Sequence, residues 1–136
     1  MKRSVIDGDV FRRTMKMAEE DIDAARGSLK QRNWAWSMVQ AYSSMLNVSR
    51  AILFKDGYVE RSHYCVVEYL RYNYYDEYED HIEKLDLMRK ERHQILYNSR
   101  ETVNEITARL RVRWAEGFLG EILNENKIKD DDQEDI

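Results

Sequence analysis

Leu85-Asp86-Leu87-Met88-Arg89-Lys90-Glu91-Arg92-His93-Gln94-Ile95-Leu96-Tyr97 is the stretch from which the rest of the chain can be read. Wound as a helix at about 100° per residue, it lines up Leu85, Met88, Ile95 and Leu96 as one apolar stripe. Arg92 falls in the middle of that stripe, four residues from Met88 and four from Leu96. His93 and Tyr97 are spaced to share its flank. A guanidinium is almost never buried without a partner. An arginine so placed calls for a carboxylate, a buried polar network, a subunit interface or a ligand phosphate.

The same periodicity runs outward in both directions. Upstream, Phe11, Met15, Ala18, Ile22, Ala25 and Leu29 alternate four- and three-residue steps behind the acidic start Asp7-Gly8-Asp9. Gln31-Arg32-Asn33 reads as a turn. Trp34, Met38, Ala41, Met45, Val48 and Ile52 then repeat the stripe up to Lys55-Asp56-Gly57, where glycine can take the left-handed conformation of a helix end. Ser62 is the expected N-cap of a third helix from His63 to about Tyr72, and a fourth runs from about Glu77 to Leu96. A fifth, capped by Ser99 or Thr102, runs to about Asn124. Val103, Ile106, Leu110, Trp114, Phe118 and Ile122 are expected on its inward face, and Arg109, Arg111 and Arg113 on its outer one. With 136 residues and no proline, the fold class is all-α, an antiparallel four- to five-helix up-and-down bundle in one domain.

Composition narrows the function classes. No stretch approaches the roughly 18 apolar residues that span a bilayer, and Met1-Lys2-Arg3 leads into no apolar leader, so no membrane is expected. A single cysteine, Cys65, excludes an internal disulfide and fits a cytoplasmic location; it reads as buried and inert. Asp130, Asp131, Asp132, Glu134 and Asp135 outweigh the formal net charge of −4 and leave the remainder at +1. Residues 127–136 therefore read as an acidic, disordered tail, a solvating segment or a competitor of nucleic acid for a basic face.

Metal is not expected. A carboxylate-bridged bundle site needs two Glu-x-x-His motifs, and Glu60-Arg61-Ser62-His63 is the one match. Neither a phosphate-cradling glycine loop nor a dinucleotide fingerprint occurs, so no cofactor is expected either. Tyr69, Tyr72, Tyr74, Tyr75 and Tyr78 could stack bases, but tyrosines near a helix end more often pack. The remaining constellation is Arg92, His93 and Tyr97, with His63 as a possible neighbour. Arginine can grip a phosphodiester bidentately, histidine can move protons near neutral pH, and tyrosine can donate or stack. The structural alternative is an Arg92–glutamate pair with His93 and Tyr97 covering the bundle end.

Two stretches resemble the HEPN superfamily, in particular its small stand-alone prokaryotic members. One is Ala41-Tyr42-Ser43-Ser44-Met45-Leu46-Asn47-Val48-Ser49-Arg50-Ala51-Ile52-Leu53, followed by Gly57 and Ser62-His63-Tyr64. The other is Arg89-Lys90-Glu91-Arg92-His93-Gln94-Ile95-Leu96-Tyr97, followed by Trp114-Ala115-Glu116-Gly117-Phe118. The resemblance implies a helical bundle over 1–126, a homodimer, and binding of RNA or a nucleotide. It also implies a minimal nucleotidyltransferase as partner in a toxin–antitoxin-like system. Members that cut RNA without metal carry an arginine, a polar residue and, four to six positions on, a histidine, and two copies meet across the dimer. Here Arg92 and His93 match the first two, while Tyr97 stands where a nuclease has histidine. The resemblance thus implies catalytic roles for Arg92, His93 and Tyr97 if there is cleavage. The ligand-binding set it implies is Tyr42, Arg50, His63 and Arg92. A non-catalytic binding module, a metal-independent endoribonuclease and a purely structural interaction bundle all stay open at this level. Tyr97 is also a candidate for modification by the partner.

Overall fold

Helix α2 (Trp34–Lys55) is the axis of the bundle, with the other helices packed around it. The computed structural model describes residues 2–3 and 8–134, with side chains over 8–126. The remaining elements are β1 (Lys2–Arg3), α1 (Gly8–Lys30), β2 (Tyr58–Val59), α3 (His63–Leu96) and α4 (Glu105–Glu134). Small residues let neighbours approach α2 closely. Ala41, Ser44, Val48 and Ala51 are all fully buried, and the Ser44 hydroxyl donates to the Ala18 carbonyl of α1 at 2.9 Å.

The three-residue turn 31–33 reverses the chain between α1 and α2. Arg32 takes a left-handed φ of 60°, and the Asn33 side chain caps α2 by accepting from the Trp36 amide. Ser28 bonds Gln40 and Asp21 bonds Asn47, so the two helices are antiparallel. The stripe Met15, Ala18, Ile22 and Ala25 is buried as its spacing predicts.

Gly57, at φ 87°, ends α2 and turns the chain back along it. Six residues, 57–62, cover about 20 Å when extended, the rise of α2 between Tyr42 and Asp56. On the way Tyr58–Val59 pairs antiparallel with Lys2–Arg3, a two-residue ribbon with no signal in the helical pattern. This extended return starts α3 beside the middle of α2, with Ser62 as its N-cap, accepting from the Cys65 amide. Cys65 is half-buried rather than buried.

The expected third and fourth helices are continuous in hydrogen bonding, yet the backbone leaves helical geometry at Tyr74 and Tyr78. Arg71 bonds Glu83, and the Arg89 guanidinium lies 5.5 Å from the Tyr64 ring. On a straight helix residues 64 and 89 would be roughly 37 Å apart. The chain therefore folds back at 74–78, giving α3 two antiparallel arms. No proline or glycine occurs in this stretch to break it outright. Instead, tyrosine hydroxyls fix the reversal: Tyr69 and Tyr74 both donate to Asp56, and Tyr78 donates to Glu125. Tyr69, Tyr74 and Tyr78 pack with their hydroxyls on carboxylates rather than exposed, whereas Tyr72 and Tyr75 stay exposed.

Several expectations for the later helices are corrected. Helix α4 begins at Glu105 rather than Thr102, because Asn104 caps it through the Thr107 amide. Its inward face is Ala108, Arg111, Val112, Ala115, Phe118, Leu119 and Ile122, and Ile106 is 80% exposed. Arg111 therefore belongs to the buried face, not the outer one. Leu96 likewise leaves the apolar stripe and is exposed, so the second arm of α3 buries Tyr78, Ile82, Leu85, Met88 and Ile95. Contacts Tyr78–Glu125 and Glu91–Arg111 set this arm antiparallel to α4. Helix α4 runs to Glu134 rather than ending near Asn124, and the side chains of the expected acidic tail, 127–136, lie outside the described residues. No helix among the described residues is long and apolar enough to cross a membrane.

Candidate functional site

Two neighbouring residues on the second arm of α3 face opposite fates. Glu91, 4% exposed, turns toward α4 and accepts from Arg111 Nε and a terminal nitrogen, both at 2.7 Å. The buried arginine–carboxylate pair is thus Arg111–Glu91. Arg92, one residue and 100° further round, faces α2. Its guanidinium lies 5.9 Å from the Tyr42 ring centre, and among the described residues it has no carboxylate partner. A half-buried arginine over an aromatic face is held by its ring contact while its five donors stay available.

Tyr42 is the floor of this site, 1% exposed, and its hydroxyl is 3.0 Å from His63 Nδ1. Burial pushes the Tyr42 phenol up to about 12, against the pull of Arg92, Arg89 and Arg50. It therefore stays protonated at neutral pH and can donate to His63, which then carries its own proton on Nε2. Burial, followed by Arg50 and Arg92, holds His63 below the ordinary imidazole value, with Glu60 opposing. A neutral imidazole thus sits among three arginines.

Arg50 reaches the cluster from the next turns of α2. Its Nε donates to Glu60 Oε1, delivered by the extended return, and its terminal nitrogens have no partner among the described residues. Glu60 is nine-tenths buried, and its other oxygen has no hydrogen bond. The carboxylate thus aims Arg50 and holds its fork open. Arg89, on the same arm as Arg92, is tied to Asp86 at 2.9 Å, and Asp86 also serves Lys90 and Arg71. Asp86 titrates low: burial pushes it up, but bonds to Arg89 and Lys90 outweigh that.

The four residues of the expected ligand-binding set, Tyr42, Arg50, His63 and Arg92, are therefore gathered at one place. The expected catalytic trio is not. His93 and Tyr97 are exposed, and their tilted rings meet each other at 4.5 Å between centres. Sequence reading missed Glu60, Tyr64 and Arg89. Arg89 had a signal, since three residues before Arg92 places it on a neighbouring face. Glu60 and Tyr64 had none, because their place depends on the return of the chain at Gly57.

The profile of the HEPN domain matches residues 11–126. The chain belongs to the HEPN family. That membership carries a general nucleotide- or RNA-related role, and it covers every residue of the arginine cluster. A comparison with curated proteins gave no match. Among the described residues no three His, Cys, Asp or Glu side chains gather as metal ligands.

Proposed function

We propose that this HEPN protein binds RNA or a nucleotide by its phosphate, on the face formed by Arg92, Arg50, Tyr42 and His63. The observation that carries the reading is Arg92 itself, half-buried over Tyr42 without a carboxylate among the described residues. A half-buried guanidinium with unpaired donors gains most from a doubly accepting oxyanion. Arg50, aimed by Glu60, supplies a second fork, and neutral His63 a further donor. A homodimer, a minimal nucleotidyltransferase partner and a toxin–antitoxin-like setting belong to the same proposal, resting on family membership. Titration of a fluorescent single-stranded RNA tests it. Arg92→Ala and Arg50→Ala should each weaken binding about tenfold or more, as removal of a charge-assisted hydrogen bond implies. Wild-type affinity in both variants would reject the site.

One observation favours a second reading, metal-independent cleavage of RNA. His63, beside Arg92 and held by Tyr42, offers an imidazole where the motif position has Tyr97. In the other tautomer, with Nδ1–H donating to the Tyr42 oxygen, His63 Nε2 could take the proton of a ribose 2′-hydroxyl as it attacks phosphorus and the 5′-oxygen leaves, while Arg92 stabilises charge on the phosphoryl oxygens. Cleavage in EDTA that survives His93→Ala but not His63→Ala would support this reading. Cleavage lost in His93→Ala alone would place the chemistry at the exposed end of α3. Sedimentation at micromolar concentration decides whether two copies can contribute.

A further inference from the structure

Tyr64 follows His63 in the first turn of α3 and is 55% exposed, whereas Tyr42 and His63 beside it are buried or half-buried. The Arg89 guanidinium lies 5.5 Å from the Tyr64 ring centre. Arg89 is held in turn by two nitrogens on Asp86 Oδ1, at 3.0 and 2.9 Å. The Ser62 cap fixes the turn that carries both His63 and Tyr64. A large aromatic ring is thus left in solvent, steadied by an anchored cation, next to the arginine cluster.

We infer that Tyr64, with Arg89, is a shelf for an unpaired base, so that the site selects single-stranded RNA over duplex. The inference rests on the reading that phosphate binds at Arg92. Arg89 lies against the Tyr64 ring and acts electrostatically on both Tyr42 and His63, so a phosphate at the His63–Arg92 cluster and a base at Tyr64 sit side by side. Stacking on a ring requires a base free of its helix, and a duplex cannot offer one without unpairing. Arg89 lies over the ring and steadies it, which leaves the ring's remaining exposed surface for the base. Tyr64 is therefore a specificity-determining residue, distinct from the groups that hold phosphate.

Anisotropy titrations of a single-stranded RNA and of its fully paired duplex, with wild type, Tyr64→Ala, Tyr64→Trp and Arg92→Ala, test this. Loss of base stacking should weaken single-strand binding by Tyr64→Ala roughly tenfold. Duplex affinity and the salt dependence of binding should be unchanged in that variant, and Tyr64→Trp should bind like wild type. Equal losses for single strand and duplex would overturn the inference, because the ring would then merely support the helix turn. Wild-type binding by Tyr64→Ala alongside defective Arg92→Ala would overturn it alone. Absence of RNA binding by wild type would overturn it together with the reading of the Arg92 face.

Discussion

Replacing the buried Arg111 by methionine should unfold this protein far more readily than any change at the half-buried Arg92. The two hydrogen bonds to Glu91 at 2.7 Å form a parallel fork, and the partners are 8% and 4% exposed. Arg111 is also stacked 4.1 Å from the Trp114 ring centre. Removing the cation strands a buried carboxylate, which costs about 3–5 kcal/mol. Against a total stability of about 5–15 kcal/mol, that is a large fraction. For a chain of this length each kcal/mol moves Tm by roughly 3–5 °C, so Arg111→Met should melt on the order of 10–20 °C lower. Glu91→Met alone should be similarly damaging, because it leaves the guanidinium buried and unpaired. The double variant places two apolar side chains face to face and should recover most of the loss, with a coupling of about 3 kcal/mol. Urea denaturation of the four proteins closes the cycle. A loss below about 1 kcal/mol for Arg111→Met, or strictly additive losses, would refute the assignment of this pair to the core.

Other expectations concern the frame around the site. Ser62→Ala should lower stability by about 1 kcal/mol and weaken RNA binding as well, since the first turn of α3 carries His63; circular-dichroism melting and anisotropy read the two effects. Asp56→Ala removes the acceptor of both Tyr69 and Tyr74 at the reversal of α3 and should cost about 2–3 kcal/mol in denaturant titration. His63 is held below its ordinary value, so near pH 6.5 the unfolded chain takes up a proton that the folded chain refuses. Stability should be level above that pH and decline as pH falls through it toward the lowered folded value, and His63→Asn should flatten that part of the slope.

Much of the frame was legible because small and large apolar residues recur at helical spacing. The α1 stripe from Met15 to Ala25, the stop at Gly57 and the cap at Ser62 follow from local chemistry alone. The gathering of Tyr42, Arg50, His63 and Arg92 was reached through family resemblance, and its physical cause is the return of 57–62 along α2. Helix α4 was misread by following its largest apolar residues. Ile106 and Leu110 gave way to Ala108 and Ala115, whose size lets α4 sit close, and that rotation carries Arg111 inward to Glu91. Spacing alone could not say which arginine would find the carboxylate: Glu91 and Arg92 are adjacent, and 100° of helix decides which neighbour each one meets. The reversal at Tyr74–Tyr78 was hidden for another reason. It is fixed by hydroxyls reaching Asp56 and Glu125, partners distant in sequence.

The central claim is that Arg92 is kept free of carboxylates to hold a phosphate, and the salt dependence of RNA affinity tests it most directly. With single-stranded RNA, the slope of log K against log salt should be shallower in Arg92→Ala than in wild type by about 0.7, the share of one phosphate left unneutralised. Its melting temperature should stay within a few degrees of wild type, because no ion pair is broken. An unchanged slope at unchanged affinity would contradict the account and leave Arg92 as packing over Tyr42.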